Sequence, residues 1–301
     1  MTPPAKKNAG SAKSRQRFKR VEAIVNPKSG GVAPNAPAEL EADLKAHGLE
    51  PRIHVCGDRP LDAILDDVFG SNPDIVVVLA GDGTVRAVAS RARPGGPAIA
   101  PLPGGTMNML PKAVYGVTDW KVALELALTE GVVRPISGGR VNGEPFFCAA
   151  ILGAPAMWAP AREAMREGKA KVAFQRARLA LRRAFTGRIR FRLNRGKLGK
   201  AEALVLITPL ISTALTKHDG LEAAVMTPHG ASEAFRMAAH AVFSDWRNDP
   251  AVQTNVVTRA DAWARSKIPA ILDGETVHLG AHAEVRFDAV AFHVLAPADP
   301  A

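Results

Sequence analysis

The sequence predicts an α/β domain built on a parallel sheet, followed by a mainly antiparallel β domain with inserted helices. Three observations lead there. Up to about residue 130, short β-favouring runs alternate with amphipathic runs at the spacing of βα units. Three of those strands end in glycine joined to hydroxyl or amide residues: NPKSGG, AGDGT and PGGTMN. After about residue 140 strand follows strand, interrupted by two helical stretches near 160–186 and 232–245.

Residues 1–20 are polar and Lys/Arg-rich, which predicts a disordered basic tail. The α/β domain, expected over 21–139, opens with strand Val21–Val25. Ala38–Gly48 reads as a helix, with Leu40 and Leu44 on one face and Gly48 at its stop. Arg52–Cys56 is a strand, and Leu61–Phe69 is a helix with Leu61, Ile64, Leu65 and Val68 apolar. Ile75–Leu79 reads as a buried strand, Thr84–Arg93 as a helix, Ala98–Leu102 as a strand and Thr118–Leu128 as a helix. The β domain, expected over 140–301, places strands at Arg140–Val141, Glu144–Ala150, Arg188–Leu193, Ala203–Thr208 and Leu221–Met226. Further strands are expected at Ala270–Leu272, Val277–Leu279, Glu284–Phe287 and Ala291–Leu295, the last a candidate to return to the first domain.

Composition narrows the function classes. Apolar residues make up 47% of the 301, enough for a core of ordinary size. Two cysteines at this length make no disulfide framework and read as reduced thiols of a cytoplasmic protein. The N-terminus lacks an apolar h-region, and no apolar run reaches a membrane-spanning length. The net charge of +10 is unevenly placed: residues 1–20 carry +7 and residues 162–200 carry +12, which leaves the rest at −9. A polyanionic partner would therefore meet the tail and that segment.

The strand-end loops are where the chemistry is expected. Gly81 and Gly83 let backbone N–H groups approach an anion, and the helix that follows aims its own N–H groups there. Thr84 can cap that helix and donate a hydroxyl. No G-x-x-x-x-G-K-[ST] string occurs, and the dinucleotide pattern fails at Arg86. An Asp between the glycines repels phosphate unless a metal lies between them. In an open α/β sheet, strand ends of this kind form the binding crevice.

NPKSGG, AGDGTV and LPGGTMNML, followed by ITPLISTALTKHDGLEAAVM and IPAILDGE, resemble the diacylglycerol kinase catalytic family, which includes bacterial lipid kinases and the sphingosine and ceramide kinases. The resemblance runs over about residues 20–297. It implies a Rossmann-like domain of the NAD kinase/diacylglycerol kinase type, a C-terminal β-sandwich lipid-substrate domain, and ATP with Mg²⁺. The expected function is transfer of the γ-phosphoryl group to the hydroxyl of a lipid such as diacylglycerol, ceramide or a sphingoid base. Three positions depart from the family pattern: Ala80 stands at a usual Gly, Gly104 at a usual Leu, and Met109 at a usual Asp or His.

Such a transfer needs a phosphate cradle, a metal ion and a base. The expected cradle is Asn26, Ser29, Gly81, Gly83, Thr84, Gly105, Thr106 and Asn108. Asp82 has two candidate roles: holding Mg²⁺ through water, or accepting the substrate proton. By resemblance, Asp273 is a base candidate, Glu275 a nucleotide or metal contact, and Asp219 a metal-supporting position. At i, i+2, Asp273 and Glu275 share a face if they lie on a strand; alternatively, Asp-Gly there makes a hairpin turn. His278 and His282 read as solvated.

Residues 162–200 and the tail predict peripheral contact with an anionic membrane, at the inner face of the cell membrane. Three other readings stand beside the kinase: a catalytically weakened family member that binds lipid or nucleotide, an NAD kinase, and a basic nucleic-acid-binding protein. An NAD kinase should carry a downstream Asn-Glu pair, whereas this chain has only Val141-Asn-Gly-Glu. Aromatic residues are only 5% and no nucleic-acid motif occurs, so a nucleic-acid partner is not expected.

Overall fold

The computed structural model describes residues 18–57, 59–153, 189–217, 219–227 and 252–298. The chain divides into two compact units, Met1–Ile136 with Val290–Ala301, and Ser137–Ala289. The division falls a few residues before the expected 139/140.

In the first unit, strands β1 (Val21–Val25), β2 (Pro51–Val55), β3 (Ile75–Ala80) and β4 (Ala98–Pro103) pair in parallel in the order β2-β1-β3-β4. The end of the last strand, β16 (His282–Ala296), continues this sheet through His293↔Ala98 and Val294↔Ile99. β3 is IVVVLA and every residue of it is buried, as expected of a central parallel strand covered on both faces. The helices are α1 (Ala36–Ala46), α2 (Leu61–Gly70), α3 (Asp82–Ala92), α4 (Met109–Tyr115) and α5 (Trp120–Thr129). α1 buries Leu40 and Leu44, and α2 buries Ile64, Leu65 and Val68. The Asp119 carboxylate caps α5 by accepting from the Lys121 and Val122 amides.

Two features here differ from the sequence reading. α3 starts at Asp82 rather than Thr84, so Asp82 and Gly83 belong to its first turn. α4 was not expected at all. It is one of the shortest helices and contains Pro111, and the carboxylate that holds its start comes from a distant position, as described below.

The second unit is a sandwich of antiparallel sheets. One sheet orders β12 (Val252–Val257), β11 (Leu221–Met226), β10 (Ala203–Ile207), β7 (Ala149–Gly153), β14 (Pro269–Leu272) and β15 (Glu275–His278). The other runs from the first half of β16 through β13 (Arg259–Trp263) and β8 (Ile189–Leu193) to β9 (Gly199–Ala201). β5 (Val132–Val141) pairs with β6 (Glu144–Phe146). Leu152, Leu204, Leu272, Ile189, Ala260 and Val285 form one core drawn from both sheets. Gly139 is required opposite Phe146: a Cβ there would lie 2.3 Å from the fully buried ring.

The expected strand Glu144–Ala150 is broken into β6 and β7 at Phe147-Cys148, whose amides turn aside to a carboxylate. The two expected strands 284–287 and 291–295 are one continuous strand, β16. β9, β12 and β13 were not anticipated; the middle of β12 is exposed, so its sequence QTNV shows no apolar alternation. The expected helical stretches 160–186 and 232–245, and the tail 1–17, lie outside the described residues.

Candidate functional site

All eight expected cradle residues gather at the strand ends of the first unit, where hydrogen bonds weld three loops together. The Asn26 amide donates to the Leu79 carbonyl (3.0 Å), which joins the exit of β1 to β3. Asn26 Oδ1 accepts from the Lys28 amide (3.1 Å), an Asx turn that folds NPKSGG back on itself. Asn26 Nδ2 donates to Thr84 Oγ1 (3.3 Å). The Gly81 amide donates to Ser29 Oγ (2.9 Å), and the Gly31 amide to the Gly104 carbonyl (3.1 Å).

The third loop is organised by Asn108. This residue sits in the left-handed region (φ 52°, ψ 45°), which Asn tolerates better than most. Its Oδ1 accepts from the Gly105 amide (2.6 Å) and its Nδ2 donates to the Gly105 carbonyl (3.0 Å). Asp82 reaches across from α3: Oδ2 accepts from the Asn108 amide (3.0 Å) and Oδ1 from the Met109 amide (2.7 Å). A carboxylate at the first amides of a helix satisfies donors that have no partner within it and complements the helix dipole.

The backbones of the β3 and β4 loops touch. A Cβ on Gly104 would lie 2.7 Å from the Ala80 nitrogen and 2.8 Å from Val32 Cγ2, and one on Gly105 would lie 2.8 Å from Gly81 Cα. Two of the departures from the family pattern, Ala80 and Gly104, therefore meet each other. A side chain at 104 has no room here. At the third, Met109, the backbone rather than the side chain holds Asp82.

The cradle thus separates into framework and surface. Asn26, Ser29, Thr84 and Asn108, with the Gly81 and Gly105 amides, are engaged with one another. Gly30, Gly31, Gly83 and Thr106 are exposed at the same loops and can meet a ligand. Sequence reasoning missed Lys28. It is exposed, forms no ion pair among the described residues, and its chain runs past Gly57, where a Cβ would lie 3.6 Å from Lys28 Cε. A lone cation inside NPKSGG was the available signal. Beside it, burial pushes the Cys56 thiol up from its ordinary value, which argues against an activated nucleophile.

The acidic candidates of the second unit take other places. Asp273 and Gly274 form the two-residue turn between β14 and β15, with φ of 49° and 90°. This is the Asp-Gly hairpin, the alternative to a strand on which Asp273 and Glu275 would share a face. Asp273 is 6% exposed, whereas Glu275 is exposed. Asp273 Oδ2 accepts from the Phe147 amide (2.7 Å), and its Oδ1 accepts from the Cys148 (2.8 Å) and Ala149 (2.9 Å) amides. Three of about four lone-pair positions are thereby committed. Asp219 is exposed, and no group of three or more His, Cys, Asp or Glu among the described residues is arranged to hold a metal ion. Both histidines read as solvated are exposed; His282 Nε2 also bonds Asp261 Oδ1 (3.1 Å), and its ring stacks on Trp263.

Residues 20–141 match the diacylglycerol kinase catalytic domain family, the same family that the strand-end motifs resemble. The whole fold is similar to solved structures from Bacillus anthracis str. Sterne. One, described as a putative diacylglycerol kinase, is 20% identical with a TM-score of 0.68 and covers 94% of this chain and 96% of that one. A second putative diacylglycerol kinase is 18% identical with a TM-score of 0.66, covering 93% and 98%. A third, described as a diacylglycerol kinase, is 16% identical with a TM-score of 0.64, covering 94% and 98%.

Proposed function

With residues 20–141 matching the diacylglycerol kinase catalytic domain, we propose that this protein is an ATP-dependent lipid kinase that transfers the γ-phosphoryl group to a lipid hydroxyl. The observation that carries the reading is the welding of the three strand-end loops, which leaves glycine backbone, the Thr106 hydroxyl and the Lys28 ammonium exposed together. That set of groups suits a polyphosphate: amides and a hydroxyl donate to its oxygens, and a cation balances its charge.

The framework bonds hold these donors in place before the nucleotide arrives, so little ordering cost remains at binding. Mg²⁺ usually takes only one or two protein carboxylates and is otherwise held by substrate phosphates and water. Asp82 fits that modest demand, since each of its oxygens accepts one amide and keeps a further lone pair. When bound, the ion would offset the charge of the transferring phosphoryl group. Asp82 is also the carboxylate that these loops offer for the proton of the acceptor hydroxyl. We assign Asp273 to shaping the second unit rather than to taking that proton, because its oxygens are committed to three amides.

The test is transfer of labelled phosphate from ATP with Mg²⁺ in mixed micelles, with diacylglycerol, ceramide and sphingosine offered side by side. Wild-type protein should label one lipid class, and Asp82→Asn should reduce that labelling by at least roughly 10²-fold. Nucleotide binding without labelling of any lipid would overturn the kinase reading in favour of a family member that binds without turnover.

A further inference from the structure

The second unit carries a cationic surface on the β8–β9 hairpin. Ile189, Phe191, Leu193 and Ala201 point inward to the core or pack against it. Alternation then sends Arg190, Arg192 and Lys200 outward, and Arg195 and Lys197 stand on the connecting turn. All five are exposed, none forms an ion pair among the described residues, and residues 189–201 contain no acid. The acids of the neighbouring strands are already occupied: Asp261 by His282 and Arg259, and Glu284 by Arg259 and Arg286. At the turn, Leu198 is 51% exposed between Lys197 and Lys200.

The hairpin is held rigidly. Asn194, at φ 48°, donates its amide to the Arg259 carbonyl (2.8 Å), and its Oδ1 accepts from the Thr258 (3.0 Å) and Arg259 (3.2 Å) amides. Gly199 leaves room for the Phe191 ring, since a Cβ there would lie 2.5 Å from Phe191 Cζ.

We propose that the β8–β9 hairpin is a docking surface for an anionic lipid bilayer, with its unpaired cations on the headgroups and Leu198 entering the interface. Charge complementarity and an exposed leucine flanked by long cationic side chains are the features that such an interface selects. A nucleic acid suits the surface less well. The Trp263 ring on this face lies beneath Arg192 (5.7 Å) and stacks on His282 (5.2 Å), so it offers no open platform for a base. The expected contact over residues 162–200 is thereby assigned, within the described residues, to a β-hairpin.

The test is cosedimentation of the full chain with vesicles of mixed phosphatidylcholine and phosphatidylglycerol, and with pure phosphatidylcholine. Wild-type protein should bind only the mixed vesicles, and added salt should weaken the binding. The triple variant R195Q/K197Q/K200Q should partition on the order of 10²-fold more weakly, and Leu198→Ser about tenfold more weakly. A control removing three charges already paired in the first unit, K45Q/R91Q/K121Q, should stay within about threefold of wild type. Equal losses in the triple variant and the control, a triple variant that binds as wild type does, or protein that binds duplex DNA and no vesicle would each overturn the proposal. Binding needs no turnover, so a protein that labels no lipid in micelles can still pass this test, and an active kinase can fail it.

Discussion

Replacing Asp273 by asparagine distinguishes a carboxylate that shapes the fold from one that takes a proton. Asp273 receives three amides, two of them buried: Phe147 on Oδ2, and Cys148 and the half-buried Ala149 on Oδ1. Asparagine has one oxygen. Placed with that oxygen towards Cys148 and Ala149, it keeps two bonds, now neutral rather than charge-assisted, and turns its NH₂ group towards the Phe147 N–H. An orphaned buried donor costs about 1–3 kcal/mol, and a hydrogen bond to a charged partner exceeds a neutral one by roughly 1 kcal/mol. The sum is at least about 3 kcal/mol, or a fall in Tm of roughly 5 °C at this chain length. Thermal unfolding followed by circular dichroism measures it. An asparagine variant that melts within about 2 °C of wild type while losing transfer activity would refute the reasoning and return Asp273 to the role of base.

Four further outcomes are expected. Lys28→Gln should raise the KM for ATP by about tenfold or more while changing kcat less, as steady-state kinetics would show, because it removes a charge-assisted phosphate contact. Gly104→Ala should destabilise the protein by about 1–3 kcal/mol in urea unfolding, since the new methyl meets the Ala80 backbone and Val32. Tyr115→Phe should cost about 1 kcal/mol in the same assay, because the buried hydroxyl donates to the Leu295 carbonyl (2.8 Å) and ties α4 to the returning strand. The Arg20 and Lys19 amides hold the Asp74 carboxyl below its ordinary value, so its stabilising effect is present above the unfolded pKa and is lost as pH falls through the folded one. Asp74→Asn should therefore be less stable than wild type near pH 7, and the difference should close in acid-unfolding curves as pH falls through the folded-state pKa of Asp74.

What could be read from the chain and what could not divide along one physical line. β3 was legible because a strand buried on both faces must be apolar throughout, and IVVVLA is so without help from its neighbours. The cradle was legible as a set because glycine, hydroxyl and amide residues follow three of the first four strands, β1, β3 and β4. Which members face a ligand was not legible, because that depends on pairings such as Ser29 with Gly81 and Asn26 with Thr84, over 52 and 58 residues of chain. α4 was hidden for the same reason: the carboxylate at its start is Asp82, 27 residues before Met109. Asp273 is the sharpest case. Asp-Gly specifies a hairpin turn locally, while a family motif points to chemistry, and both readings use the same two residues. The structure adds a third fact that neither contains, namely that Phe147 and Cys148 leave the sheet and, with Ala149 at the start of β7, bind that carboxylate, some 125 residues earlier in the chain. A motif records which residue types stand together. Whether a carboxylate there is open to a substrate depends on which amides reach it first, and this is decided by the pairing of β14 with β7, which sets Asp273 beside the start of β7.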